Sequence, residues 1–124
     1  MKQVINTEKA PAAIGPYSQG IKASGIVITS GQLPIDPATG SMPEGIKAQT
    51  SQSMNNCKNV LATSGMSMDK VIKTTVFLSD MNNFASMNEV YATFFEGACP
   101  ARSAVEVARL PKDALVEIEC IAVE

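Results

Sequence analysis

Short segments in which apolar and polar residues alternate predict β-strands near the start of the chain. Gln3–Ile5 is a short extended piece. Gly20–Ala23 and Ile26–Ser30 are separated only by Ser24 and Gly25, which is the spacing of a β-hairpin. The pattern therefore predicts one strand and a hairpin before any helix.

Three more strands are predicted in the second half of the chain. Val71–Leu78 gives the strongest strand signal, and its apolar content is typical of a central strand. Ser103–Ala108 and Ala114–Val123 follow, separated by a proline-containing turn. In the last strand, alternation places Glu117 and Glu119 on one face. Two carboxylates on a mostly apolar strand face require an explanation.

Two segments have the helical period instead. The first runs from Ile46 or Lys47 to Ser64, and Gly65 ends it. The second begins at Ser79 or Asp80 and is expected to continue to about residue 96, with a stop at residue 97. The apolar stripe of the first helix consists of Met54, Cys57, Val60 and Leu61, and that of the second consists of Phe84, Met87, Tyr91, Phe94 and Phe95. These aromatic residues are interpreted as core.

The order of elements predicts an α/β (α+β) fold in a single domain covering residues 1–124. Both helices connect strands, so the right-handed crossover rule places them on one face of one mixed sheet. A sheet covered on one face leaves an apolar surface on the other. In a chain of 124 residues, packing against other copies is an economical way to bury that surface.

Composition and charge limit the possible partners. The net charge is −2 and no run of basic residues occurs, which argues against nucleic acid as the main partner. No apolar run approaches the length of a membrane span, and the first residues lack the apolar region of a signal peptide. A cytoplasmic protein is expected.

The residue types available restrict the chemistry. The chain has no histidine, which excludes Ser-His-Asp and Cys-His machinery and the usual zinc sites. Its three cysteines are far apart in sequence and form no Cys-x-x-Cys pair. No metal site is expected, and chemistry must use carboxylates, arginine, tyrosine, lysine, backbone groups and water.

Arg102 is the main candidate for binding an anion. The chain has two arginines, and this one follows Pro100 at the mouth of a predicted strand. A guanidinium keeps its charge and presents a flat fork that fits a carboxylate with two parallel hydrogen bonds. The alternative is a surface or intersubunit ion pair.

Other candidate residues have equally open interpretations. Glu117 or Glu119 could act as a general base in a partly dry cleft, or could form ion pairs; alternation does not separate them. Tyr17 follows a Gly-Pro turn; its ring either packs against the sheet edge or its phenol contacts a ligand. Backbone N–H groups of Ser30 and Gly31 could face an anion. Asn88, in the second helix, is most simply a surface residue.

These pieces together resemble the RidA family of reactive-intermediate deaminases, also called YjgF-like proteins. The match covers nearly the whole chain, and its most specific part surrounds Arg102. The matching segments are Ala10–Gly20, Ile28–Gln32, Val71–Leu78, Pro100–Ser103, Val105–Ala114 and Glu117–Glu119.

The resemblance implies a chorismate-mutase-like fold and a homotrimer with its sheets packed inward and its clefts between subunits. The implied reaction is hydrolysis of 2-aminoacrylate or 2-aminocrotonate, or of the imine tautomers 2-iminopropanoate and 2-iminobutanoate, to a 2-keto acid and ammonia. PLP-dependent serine and threonine dehydratases release these intermediates, so a functional link to such enzymes is implied. Neither metal nor cofactor is required.

The family's residue roles carry over to matching positions. Arg102 would bind the substrate carboxylate, and Glu117 rather than Glu119 would orient the attacking water. Tyr17 would form a wall of the cleft. The lining would be completed by Ser30, Gly31, Asn88 and the Ala104 backbone, while Arg109 would be structural.

The chain departs from the family pattern at Ala104, where many members carry cysteine, and in a shorter loop at residues 96–99. The first departure favours a carboxylate-and-water mechanism. Three other functions remain open: action on RNA as a ribonuclease that inhibits translation, a holdase-like chaperone, and a sensor that binds keto acids without turnover.

Overall fold

The computed structural model describes residues 1–124 and contains one six-stranded sheet in the order β1-β2-β3-β6-β4-β5. The strands are β1 Gln3–Ile5, β2 Gly20–Ala23, β3 Ile26–Thr29, β4 Val71–Leu78, β5 Ala101–Glu106 and β6 Val116–Val123. The α-helices are α1 Ile46–Thr63 and α2 Phe84–Ala92, and short 3₁₀ turns cover Met68–Lys70, Met81–Asn83 and Pro111–Asp113.

The sheet is mixed, as predicted. Strands β4 and β5 are parallel and are connected through α2, whereas all other neighbouring strands are antiparallel. Helix α1 packs against β6, β3 and α2. The prediction of an α+β fold with two helices on one sheet face is therefore confirmed.

The core lies between α1 and β6. The predicted stripe of α1 is fully buried, and so are the alternating apolar residues of β6. The residues that meet here are Met54, Cys57, Val60 and Leu61 from the helix and Val116, Ile118, Cys120 and Ala122 from the strand. Burial of each large side chain contributes about 1.5–3 kcal/mol to stability. This contact fixes β6 and thereby the direction of Glu117.

The end of α1 follows its sequence signal. Gly65 has a positive φ of 80°, the N–H of Gly65 donates to Ala62 O, and that of Met66 donates to Leu61 O. These two bonds satisfy the last carbonyls of the helix in the Schellman arrangement. The prediction that Gly65 ends the helix is confirmed.

Helix α2 is shorter than predicted, so the expected end near residue 96 was wrong. The helix ends at Ala92, and the Thr93 hydroxyl donates to Val90 O at 2.6 Å. The N–H groups of Phe94 and Phe95 then donate to the carbonyls three residues earlier, which tightens the chain into turns. Asp80 accepts a hydrogen bond from the Asn82 N–H, but it caps the 3₁₀ turn Met81–Asn83; the α-helix itself begins at Phe84, so the predicted start at Ser79 or Asp80 was also wrong.

Three strand boundaries also differ from the predictions. Strand β5 lies two residues earlier, because its ladder with β4 begins at Ala101 and β4 ends at Leu78. Strand β6 begins later than Ala114, because the Leu115 N–H donates to the side chain of Gln49 instead of joining the ladder. Strand β3 ends one residue before Ser30.

The sheet face opposite the helices is uncovered in the protomer. Apolar side chains project from it, including Val4, Ile26, Ile28 and Val105, which are between 41% and 65% exposed. Neither helix of the protein has both the length and the apolar character that crossing a membrane requires.

Candidate functional site

A cavity of about 640 Å³ lies beside the end of β3 and the start of β6. It is bounded by the loop before β2, by the residues that follow β3, and by the turn before β6. The cavity-lining residues are Pro11, Ala12, Ile14, Tyr17, Gln19, Ser30, Gly31, Gln32, Leu33, Ile35, Pro111, Lys112 and Glu117. Four of the predicted site residues, Tyr17, Ser30, Gly31 and Glu117, therefore share one cavity.

Glu117 packs directly against the backbone of Gly31. A Cβ at Gly31 would lie 2.9 Å from the carboxyl carbon of Glu117, closer than real Cβ contacts allow, and 3.2 Å from its Cγ, which is a tight contact. The φ of Gly31 is not in the left-handed region, so steric room explains the glycine here. The absence of a side chain lets the carboxylate lie at the cavity wall.

The structure separates the two glutamates of β6. Glu117 lines the cavity, whereas Glu119 lies opposite Thr75 in the sheet and does not. Burial in the cavity raises the pKa of Glu117, and the negative charge of Glu119 raises this pKa further. A carboxylate with a raised pKa is a better proton acceptor than an ordinary glutamate.

Ser30 does not offer its N–H group to a ligand, which corrects the prediction for that amide. Its N–H donates to Gln19 O at 2.8 Å and its hydroxyl donates to Ser18 O. The N–H of Gly31 makes no hydrogen bond within the chain. Of the two amides, only that of Gly31 is available.

The wall that carries Tyr17 is held by Gln19, whose role the sequence did not reveal. Tyr17 is about half exposed (52%), and its hydroxyl accepts only a long hydrogen bond, 3.4 Å, from the Ile14 N–H. The buried Gln19 side chain accepts from the Thr7 N–H at 2.7 Å and donates to Pro11 O at 2.8 Å. These bonds fix the loop, so that the Tyr17 phenol faces the cavity without a strong partner.

Arg102 lies on the helix face of the sheet. In the parallel ladder it is opposite Thr74, and its side chain reaches α2, where its Nη1 donates to Asn88 Oδ1 at 2.7 Å. Its guanidinium also lies over the rings of Phe84 and Tyr91. No carboxylate lies within 4.0 Å of it, because the three ion pairs of the chain involve other residues. The fork is therefore free to pair with an incoming acid.

Ala104 and Arg109 complete the predicted set. Ala104 is opposite Val76 in the ladder, on the same face as Arg102, and packs partly buried against the core. Arg109 pairs with Asp113 through an Nε–Oδ1 distance of 2.8 Å, and both side chains are exposed. The sequence-based assignment of Arg109 as structural agrees with this contact.

The candidate residues fall into two groups, one that lines the cavity and includes Glu117, and one around Arg102. The two groups lie far apart within one protomer. Arg102 on β5 is opposite Thr74 of β4, and Glu117 on β6 is opposite Phe77 of the same strand. The two residues are therefore separated by two strand spacings across the sheet and by three residues along it. With strands about 4.8 Å apart and a rise of about 3.3 Å per residue, their backbones are roughly 14 Å apart. Arg102 lies on the helix face and Glu117 on the other, so they cannot meet in one cleft of a single chain.

The sequence of the protein matches a known family over nearly its whole length. The family model described as Endoribonuclease L-PSP matches residues 7–124. The chain belongs to this family. The resemblance to RidA-type proteins seen in the sequence is thereby confirmed, since relatives matched over the full chain carry deaminase names.

Three members of the family show how close the similarity is. A RutC family protein from Pyrococcus horikoshii is 58% identical, with 98% of each chain covered. A 2-iminobutanoate/2-iminopropanoate deaminase from Salmonella typhimurium is 52% identical, with 99% of this chain and 98% of the relative covered. The crystal structure of Escherichia coli TdcF with bound serine superposes with a TM-score of 0.96 at 47% identity and covers 98% of both chains.

Proposed function

We propose that the protein hydrolyses 2-imino acids, such as 2-iminobutanoate and 2-iminopropanoate, and their enamine tautomers to 2-keto acids and ammonia. The observation that carries the proposal is the pair of groups this reaction needs: an unpaired guanidinium fork at Arg102 and a carboxylate with a raised pKa at Glu117. The high identity to a relative named for this deamination supports the same conclusion.

We further propose that the cleft is formed between two protomers of a homotrimer with inward-facing sheets. One protomer supplies Arg102, Asn88 and the Ala104 backbone, and its neighbour supplies Glu117 and Tyr17. Two observations support this arrangement. The two groups are separated within one chain and lie on opposite sheet faces, and the uncovered sheet face carries exposed apolar residues that association would bury.

The binding step uses charge and shape. Arg102 pairs with the substrate carboxylate through two parallel hydrogen bonds, and the free Gly31 N–H is a donor on the opposite wall. Tyr17 closes the side of the cleft, while Asn88 keeps the guanidinium oriented through its neutral Oδ1. The substrate is held by its acid end, so its C2 atom is presented to the water beside Glu117.

The chemical step is a hydrolysis that Glu117 assists as general base. The Glu117 carboxylate accepts a proton as the water oxygen bonds to C2 of the protonated imine, which gives a tetrahedral 2-amino-2-hydroxy acid. Glu117 returns that proton to nitrogen, and the C–N bond breaks as the carbonyl forms; the hydroxyl proton is taken up by the departing ammonia, which leaves as ammonium. One iminium and one water yield one keto acid and one ammonium ion.

The proposed substrates place the protein beside the enzymes that release them. PLP-dependent threonine and serine dehydratases produce the enamines, which hydrolyse slowly without help. A protein that shortens their lifetime in the cytoplasm removes electrophiles that would otherwise react with other proteins.

The test couples the purified protein to a threonine dehydratase and follows 2-oxobutanoate and ammonia formation. Acceleration above the spontaneous rate, lost in Glu117→Gln, is expected. No acceleration from folded protein would refute the proposal; if the protein still bound 2-oxobutanoate, a keto-acid sensor would replace it. Cleavage of RNA that persisted in Arg102→Ala and Glu117→Gln would favour the ribonuclease alternative.

A further inference from the structure

The guanidinium of Arg102 is surrounded by neutral groups. Its Cζ lies 4.8 Å from the ring centroid of Tyr91 and 5.4 Å from that of Phe84, within the range of cation–π attraction. Its one hydrogen-bond partner within the chain is the amide oxygen of Asn88. These neighbours stabilise the cation without neutralising it, which leaves its charge for a carboxylate.

The closer ring is anchored by the strand residue beside the arginine. Thr74 is opposite Arg102 in the parallel ladder, and its Oγ1 lies 2.6 Å from the hydroxyl of Tyr91. Thr74 is fully buried and Tyr91 is 5% exposed. The ring therefore cannot turn away from Arg102 without breaking a buried hydrogen bond and core packing.

We infer that Tyr91, together with Phe84, is a positioning residue for substrate binding, because its anchored ring holds the Arg102 guanidinium in place as an unpaired cation before the acid arrives. This inference rests on the proposed function. An arginine that is free to rotate loses conformational entropy when it binds, and this loss subtracts from affinity. A ring that restricts it beforehand reduces the loss, while a carboxylate in the same place would compete with the substrate.

Two substitutions of one residue separate the ring from its hydroxyl. Tyr91→Leu removes the π-face but keeps an apolar side chain, whereas Tyr91→Phe keeps the ring and removes the hydrogen bond to Thr74. Phe95→Leu is the matched control, because the Phe95 ring lies 5.0 Å from that of Tyr91 and packs against the core without contacting Arg102 in this way.

The readouts are the Kd of 2-oxobutanoate, measured by calorimetry, and the KM and kcat for 2-iminobutanoate. Tyr91→Leu is expected to raise Kd and KM about fivefold, the size of one cation–π contact, with kcat changed less than about twofold. Tyr91→Phe is expected to restore Kd to within about twofold of the wild type even though its Tm falls. Phe95→Leu is expected to lower Tm and leave Kd unchanged.

An unchanged Kd in folded Tyr91→Leu, or an equal rise in Phe95→Leu, would overturn the inference. If Tyr91→Leu does not fold, Phe84→Leu takes its place, since Phe84 is only partly buried; an unchanged Kd there would also overturn it. Keto-acid binding that depends on Arg102 and Tyr91, without imine turnover by the wild type, would refute the proposed function and support this inference. Imine turnover with an unchanged Kd in Tyr91→Leu would refute the inference alone.

Discussion

The carboxyl carbon of Glu117 lies 2.9 Å from the position that a Cβ on Gly31 would occupy. Gly31, two residues after the end of β3, and Glu117, near the start of β6, thus form one unit, in which the missing side chain of the glycine makes room for the carboxylate of the glutamate. Gly31 contributes space at the cavity wall and a free N–H group.

Gly31→Ala is expected to displace the Glu117 carboxylate and reduce kcat at least about tenfold, because general-base catalysis typically contributes 10²–10⁴-fold and depends on position. Circular dichroism should show a native fold. A double-mutant cycle with Glu117→Ala checks the cause: the stability cost of Gly31→Ala should largely vanish when Glu117 is absent. A cost that is equal in both backgrounds would show that the clash lies elsewhere.

Arg102→Ala is expected to reduce kcat/KM by roughly 10²-fold or more and leave assembly unchanged, because a charge-assisted bidentate contact is lost. Arg102→Lys should recover little, since an ammonium lacks the fork. The chain supplies its own control in Arg109, which pairs with Asp113 at the surface. Arg109→Ala is expected to keep full activity in the same dehydratase-coupled assay; equal losses in both variants would contradict a specific role for Arg102.

Asn88→Asp is expected to weaken binding of 2-oxobutanoate about tenfold, because the new carboxylate would lie where a neutral Oδ1 now accepts from Arg102 at 2.7 Å. Asn88→Ala removes the acceptor without adding charge, and its effect should be smaller. Titration calorimetry on both variants measures the difference. Tighter binding of 2-oxobutanoate in Asn88→Asp would show that the Arg102 guanidinium does not bind the carboxylate of the ligand.

Glu119→Gln is expected to move the acid limb of the kcat/KM–pH profile to lower pH. The negative charge of Glu119 disfavours ionisation of Glu117 and raises its pKa, so removing that charge lowers the pKa and keeps the base ionised at more acidic pH. The shift should shrink at high salt, because the interaction between the two carboxylates is screened. A shift to higher pH would contradict the assignment of Glu117 as the base.

The sequence was a good guide wherever local periodicity and tertiary packing agree. The apolar period of α1 and the stop at Gly65 hold because the same residues that favour a helix also form the core against β6. The prediction of where α2 ends was wrong because the Thr93 hydroxyl donates to a backbone carbonyl and the chain turns at Phe94 and Phe95. The apolar character of these two residues nevertheless continues the helical pattern in the sequence. The apolar pattern of the sequence reports which side chains are buried, and Phe94 and Phe95 still pack against the core after the helix has ended.

The sequence predicted which residues belong to the candidate site but not how they contact one another. Residue types and family resemblance identified Arg102 and Glu117, and alternation could not choose between Glu117 and Glu119. That choice depends on which glutamate meets Gly31, a contact between segments far apart in sequence. Tyr91 was interpreted as core, which it is; its second contact, with Arg102, depends on the register between β4 and β5 and has no local signal.

The central claim is that Arg102 of one protomer and Glu117 of its neighbour form one cleft, and subunit mixing tests it most directly. Differently tagged Arg102→Ala and Glu117→Gln chains, each inactive alone, are refolded together and purified through both tags. In every trimer that carries both tags, one of the three interfaces joins an intact Arg102 to an intact Glu117, so activity near a third of the wild type is expected. Doubly tagged assemblies that remain as inactive as the parent variants would contradict the account.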